Sequence, residues 1–381
     1  MRFRHPDGAL VHLAYCTNVH PAEDLDGVLA QLAAYAEPVR SRLGVSRLGV
    51  GLWLSADLAA ALARDADAVR RLRTGLVDRG LEVVTFNGFP YRGFHDPVVK
   101  YAVYTPDWTH PDRLEYTVNL ATVLASLLPE DVEHGSISSL PLAWRTPWDR
   151  TRADAARRQL DELAKRLAGV AAETGRSIRV GLEPEPGCIV ESTMDAVTHL
   201  SGVDADWLGI CLDACHLAVG FEQPDEALAR LSSAGLPVVK LQASCALEAA
   251  APDHGELASF VEPRFLHQTR DRAGGGVDDL DAALAGGLTA DLPWRVHFHV
   301  PVHADPAGSL ASTRPELRAT FDALLAGPRA ITHHVEVETY TWQVLPAEQR
   351  PRTDADLVEG LAKELDWTRG ELLDRGLEEV S

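Results

Sequence analysis

The sequence lacks most of what marks a nucleic-acid-binding, membrane or secreted protein. Positive charge is scarce: 36 basic residues stand against 56 acidic ones, for a formal charge of −20. Such a field repels phosphate backbones and anionic surfaces, so neither nucleic acid nor a membrane is expected as a partner. No window is apolar for the length of a membrane span, and the start, MRFRHPDGALVHLAYCTN, has no apolar core followed by a small-residue cleavage site. Cysteine is sparse and odd in number. Cys16, Cys188, Cys211, Cys215 and Cys245 lie scattered in apolar runs and read as small buried hydrophobes of a reducing cytoplasm. There is no G-x-G-x-x-G, Walker loop, G-x-S-x-G or C-x-x-C, and the run Gly274–Gly276 is only a loop signal. Internal repeats and low-complexity segments are also missing.

What the chain does have is alternation. Short apolar runs (VHLAYCTN, RLGVGLWLS, LEVVTFNGFPY, HGSISSLPL, IRVGLEPEPG, LGICLDACHLA, PVVKLQASC, THHVEVETYTW) are separated by amphipathic stretches such as 23–43, 56–79, 113–128 and 152–174. Eight strand–helix units in 381 residues predict a single α/β domain, a (β/α)8 TIM barrel, ahead of an open doubly wound sheet. Two surplus runs, RFLHQTRD and WRVHFHVPVH, are expected as an insertion after the seventh strand, a hairpin within 246–304 over the barrel mouth. The alternative makes 294–303 the eighth strand, which would move the last site residue to His299. From 346 to 381 a closing helical tail is expected.

The C-terminal ends of barrel strands carry the chemistry in this architecture, and polar residues gather there. Glu183 and Glu185 share one face, Lys240 and Gln242 another, and His334, Glu336 and Glu338 a third. Carboxylates clustered in a barrel mouth repel one another and pay desolvation unless a cation joins them, which points to a divalent metal. The oxygen-rich set suits Mg or Mn and tolerates Co or Zn. Asp213 alone would read as a helix N-cap, and His216, three residues on, as a loop histidine, a residue that orients a ligand, a ligand itself, or a group for acid–base work or substrate polarisation. Asn87 ends the third strand, and Tyr91, Phe94 and His95 follow it as a pocket wall or a packed aromatic loop. His297, His299 and His303 share one strand face, a packing stripe or a metal-facing one, and His267 and His299 lie beside strand ends of the insertion.

The succession LEPEPG, CLDACH, KLQAS and VEVETY resembles the xylose-isomerase-like TIM barrels, a superfamily of sugar isomerases, ketose epimerases, hydroxypyruvate isomerase and endonuclease IV. Over nearly the whole chain, NGFPYRGFH, VYTPDW, SISSLPL, VHFHVP and VEVETYTWQVLP resemble the metabolite traffic proteins of Ebo gene clusters (EboE). The superfamily resemblance implies a divalent metal held by Glu183, Asp213, Gln242 and Glu338, with Gln242 where epimerases carry His, and with Glu338 preferred over Glu336 as the residue nearer the mouth. It implies proton transfer by Glu183 and Glu338, with His216 as a further catalytic candidate, on a small sugar-like or cyclitol-like carbonyl compound. Asn87, His95, Glu185, Lys240, His267 and His299 are the candidate substrate-binding residues. A metabolite-binding protein without turnover and a metal-dependent phosphodiesterase are the rival readings, and a homo-oligomer is compatible with either.

Overall fold

The computed structural model describes residues 1–380. Eight parallel strands form its centre: β1 (Leu10–Cys16), β2 (Leu48–Trp53), β3 (Leu81–Asn87), β4 (His134–Ser139), β5 (Ser177–Leu182), β6 (Leu208–Asp213), β7 (Val238–Ala243) and β8 (His334–Val337). Each pairs with the next, and β8 pairs with both β7 (Glu336 opposite Gln242) and β1 (Glu336 opposite Ala14), which closes the barrel. Helices cover the strands on the outside, as β-strand runs buried on both faces require.

Local chemistry sets the helix limits. The stretch expected as one helix over 56–79 is two, Ala56–Leu62 and Ala66–Val77, because the Asp65 side chain accepts from the amides of Asp67 and Ala68 and caps a new start. The terminal helix Asp354–Asp374 also stops short of the expected end. Gly376 adopts φ 80°, and Glu378–Val380 is a strand antiparallel to Arg2–Arg4, which itself pairs with β1.

The surplus segment is larger than a hairpin. Cys245–Ala249, Thr269–Asp271, Gly276–Val277, Trp294–Val300 and Ala311–Ser312 form a separate five-stranded antiparallel sheet between β7 and β8. Trp294–Val300 is therefore not a barrel strand, and the alternative eighth strand is excluded. Glu364 of the terminal helix ties this sheet to the barrel: its carboxyl accepts from Val302 N at 3.1 Å, Thr339 Oγ1 at 2.6 Å and Trp342 Nε1 at 3.2 Å.

Inside the barrel, charge is paired below the mouth. Lys240 and Glu336 are both fully buried, with Nζ 2.6 Å from Oε2. A Cβ on Gly51 would overlap Glu336 Oε1, so the carboxylate occupies the space that a side chain on β2 would fill. At the N-terminal end Glu82 accepts from Arg2, 2.9 Å from Nε, and faces His12.

Candidate metal centre at the barrel mouth

Glu183 follows β5, Asp213 ends β6, Gln242 lies on β7 opposite Asp213, and Glu338 follows β8. All four are buried. One oxygen from each of Glu183, Asp213 and Glu338 lies within 4.8 Å of the others. Glu183 Oε2, Asp213 Oδ2 and both Gln242 side-chain atoms are buried without a hydrogen-bond partner. Leaving several such atoms unmade at one point costs free energy, and it is the arrangement expected around an ion-sized gap among donors.

Asp213 does two jobs. Its Oδ1 accepts from His216 N at 2.9 Å and Ser244 Oγ at 2.8 Å, capping helix Ala214–Val219, while Oδ2 stays uncommitted. The cap expected of a lone aspartate thus uses one oxygen and leaves the other for a ligand's role. Glu338 is oriented similarly: Asn18 Nδ2 and Asn87 Nδ2 each donate to Oε1 at 2.7 Å. Asn18, two residues beyond β1, was not singled out in the sequence; its only signal was a polar residue at a strand end.

Electrostatics follow from this crowding. Burial, then the charges of Glu338 and Asp213, push the Glu183 carboxyl well above the usual carboxylate range. Burial, then Asp213 and Glu336, do the same for Glu338. Burial lifts Glu185 to about 8 although the Tyr104 hydroxyl donates to it at 2.7 Å. Among the described residues no lysine or arginine forms an ion pair with Glu183, Asp213 or Glu338; the partner in range is His216, 3.8 Å from Glu183 Oε1 and 3.9 Å from Asp213 Oδ1. Burial lowers the pKa of His216 and brings His299 to about 4.

A cavity opens at this point. Asn87, Glu183, Glu185, His216, His299 and Glu338 line its polar side. Phe94, Val99, Phe265 and Tyr340 form the apolar wall. Three candidates fall elsewhere. Lys240 is spent on Glu336 beneath the mouth. His267 packs on Phe298 and uses both nitrogens, on His297 O and the Glu262 carboxylate, each at 2.9 Å. His95 packs against Trp53 and Phe94 outside the cavity lining. Glu336, the rival to Glu338, pairs with Lys240 and not with the mouth carboxylates.

A closed eight-stranded barrel with acidic side chains at the C-terminal strand ends defines the class. The chain belongs to the xylose isomerase-like TIM barrel family, whose profile matches residues 44–244. A comparison with curated proteins finds no match. Among solved structures, a xylose isomerase-like TIM barrel protein from Mycobacterium smegmatis in complex with magnesium is similar at TM-score 0.53 and 14% identity, covering 95% of this chain and 98% of that one. A D-psicose 3-epimerase with D-tagatose from Clostridium cellulolyticum H10 is similar at TM-score 0.51 and 14% identity, over 95% and 99% of the two chains. A D-allulose 3-epimerase from Methylomonas sp. in complex with D-allulose is similar at TM-score 0.51 and 14% identity, over 97% and 100%. At these identities the likeness is one of fold.

Proposed function

We propose that the protein is a metal-dependent isomerase or epimerase of a small sugar-like or cyclitol-like carbonyl compound. The observation that carries this reading is the set of unpartnered buried oxygens from Glu183, Asp213 and Gln242 beside Glu338 at the edge of the mouth cavity. These four residues would hold one Mg, Mn, Co or Zn ion. The bound ion supplies electrophilic polarisation of a carbonyl and its neighbouring hydroxyl.

The chain's own residues do the rest. Glu183 and Glu338 come from β5 and β8, on different sides of the cluster, so a planar enediolate between them meets a carboxyl on each side. One carboxylate takes the proton next to the carbonyl and the other returns one. Asn18 and Asn87 fix the Glu338 carboxyl, and the apolar wall excludes water around the ring. The activities for which the epimerase neighbours are named support the choice of ketoses as first substrates. The motifs NGFPYRGFH and VEVETYTWQVLP support a finer placement among metabolite traffic proteins of Ebo clusters, in which residues 1–381 act as one domain with 246–304 as the cover of its mouth.

The test is incubation with ketohexoses and cyclitol ketones in D₂O. The expected result is deuterium at the carbon next to the carbonyl, with Glu183→Gln and Glu338→Gln each slowing incorporation about a hundredfold or more. Conversion without deuterium, or a near wild-type rate in Glu183→Gln, would reject the mechanism. Tight binding with no exchange on any substrate would favour a non-catalytic carrier.

A further inference from the structure

The opposite end of the barrel holds a cavity that the proposed reaction does not use. It measures about 390 Å³, within the range of small-molecule sites, and enters between the starts of β4, β5, β7 and β8. Its lining runs against the composition of the chain. Although the protein carries a formal charge of −20, the titratable side chains here are Arg179, His134, His333 and His334, against a single carboxylate among the described residues, Asp206. The two-residue period of a strand explains the placement. Arg179 stands four residues before Glu183 along β5 and His334 four before Glu338 along β8, so each shares the inward face of a mouth carboxylate. Four residues of strand put the cavity about 13 Å from the mouth, with the Lys240–Glu336 pair between the two.

The positive charge in this cavity has no fixed partner. Among the described residues no carboxylate lies in ion-pair range of Arg179: its Nη2 donates to Ala205 O at 2.7 Å, and its Nε is buried with no hydrogen-bond partner. Burial lowers the pKa of this guanidinium, and Asp206 opposes that only from a distance. Asp7, which also acts on His333, is spent elsewhere, on the amides of Ala9 at 2.8 Å and Ala330 at 2.9 Å and on His5. Thr332 is 2% exposed, and its hydroxyl too is buried without a partner. His334 rests its Nδ1 2.7 Å from Ser136 Oγ; burial, then the positive charge of His12, His333, Lys240 and His134, hold it well below its ordinary pKa. An uncommitted guanidinium edge, a free hydroxyl and imidazoles around one hollow are donors with almost no acceptor among them, and an oxyanion supplies acceptors and charge together.

We propose that the cavity at the base of the barrel binds a small oxyanion, the phosphate or carboxylate group of a metabolite, with the Arg179 guanidinium and the Thr332 hydroxyl as its fixed contacts and His333 and His334 at its sides. The Ala205 carbonyl holds the plane of the guanidinium through one Nη2 hydrogen and leaves Nε–H with the rest of the fork for a two-point contact, the geometry in which arginine recognises both anions. A bare phosphate would fill only part of the hollow. The remaining space, walled by Val238 and Val239, suits a compact organic body carrying the charge. Distance and the intervening Lys240–Glu336 pair separate this site from the mouth, so its occupant need be neither substrate nor product. The assignment does not depend on the carboxylate centre being correctly read.

The experiment is calorimetric titration of the metal-stripped full chain with glycerol 3-phosphate, succinate and inorganic phosphate, with glycerol as the uncharged control. At least one of the anions should bind saturably, with a dissociation constant of about 1 mM or below, and glycerol should not. Arg179→Gln should weaken that binding about tenfold or more, the scale of a lost charge-assisted contact, and Thr332→Val should weaken it less. A Glu183→Gln/Glu338→Gln double variant should bind as wild type does, because the mouth takes no part. Tighter binding of glycerol 3-phosphate than of inorganic phosphate supports a site for an organic phosphate, equal binding supports a site for the free ion, and a preference for succinate supports a carboxylate. No saturable binding of any anion to wild type up to about 10 mM would overturn the site. So would binding that is equal in wild type and Arg179→Gln, or binding that disappears in the mouth double variant. If Arg179→Gln fails to fold, His333→Ala, on the exposed side of the cavity, takes its place: a severalfold loss of affinity supports the site, and an unchanged affinity overturns it.

Discussion

Lys240 and Glu336 meet inside the barrel with no exposed surface between them, and nearer the mouth Glu183, Asp213 and Glu338 meet without an ion pair to any lysine or arginine among the described residues, Lys240 acting on Glu183 and Glu338 only from a distance. At the opposite end Glu82 is again paired, with Arg2 and His12. Residue type and burial are alike in the three places; only the counter-charge differs. A buried carboxylate with a fixed cation is a structural element whose cost is already compensated, whereas an uncompensated group of them stores repulsion that a mobile cation relieves. Burial would raise both kinds, yet Glu82 is held at about 2 by His12 3.6 Å away, by the N-terminal amine and by its hydrogen bond from Arg2, while Glu183 and Glu338 are pushed well up.

The sharpest way to break the contrast is to take the cation from the lower pair. Lys240→Met should leave Glu336 buried and alone and cost about 3–5 kcal/mol, read by urea denaturation. A value near zero would mean that water or another group already compensates Glu336. Gly51→Ala attacks the same pair by volume and should cost about 1–3 kcal/mol through overpacking against the Glu336 carboxylate; a neutral result would mean that the glutamate has room to move.

The pH response should then divide by layer, with a limiting slope of about 1.4 kcal/mol per pH unit for each group. Glu82 has a folded pKa below its ordinary value, so its stabilisation is present above that value and is lost as pH falls toward about 2. Glu183 and Glu338 are raised, so the folded, metal-stripped chain holds protons that the unfolded chain has released, and stability falls as pH rises above the carboxylate range. Adding a divalent ion should abolish the second limb and leave the first, which denaturation curves with and without chelator would show. The smallest expected effect has the opposite sign to the first: Glu183→Gln should stabilise the metal-stripped chain by about 1 kcal/mol by removing one like charge, while lowering its affinity for added ion. Destabilisation of that variant would place Glu183 among the compensated groups.

The barrel and the sharing of strand faces were legible because period-two patterning and strand–helix alternation are local properties. The mouth residues Glu183, Asp213 and Glu338 were legible for the same reason: each stands at the end of an apolar run. What escaped depends on distance in sequence. Lys240 looked available because its partner Glu336 is on another strand, 96 residues away. His267 looked like a mouth residue until Glu262 and the His297 carbonyl claimed both nitrogens. The facing of His216 and His297 across 81 residues has no local signature. Cys245–Ala249 escaped because it follows β7 after a single residue and reads as its continuation.

The Asn18 amide that holds Glu338 closes a loop of 320 residues. Contacts of such separation form late, because the chain entropy of closing the loop is paid before any stabilisation is returned. The terminal helix adds a further delay, since Glu364 fastens both the inserted sheet and the turn after β8. A partly folded chain can therefore bring Glu183 and Asp213 together on adjacent strands, 30 residues apart in sequence, but not the carboxyl that completes the set. Metal uptake with native affinity should follow barrel closure, which makes a bound ion a reporter of the last step of folding as well as a reagent.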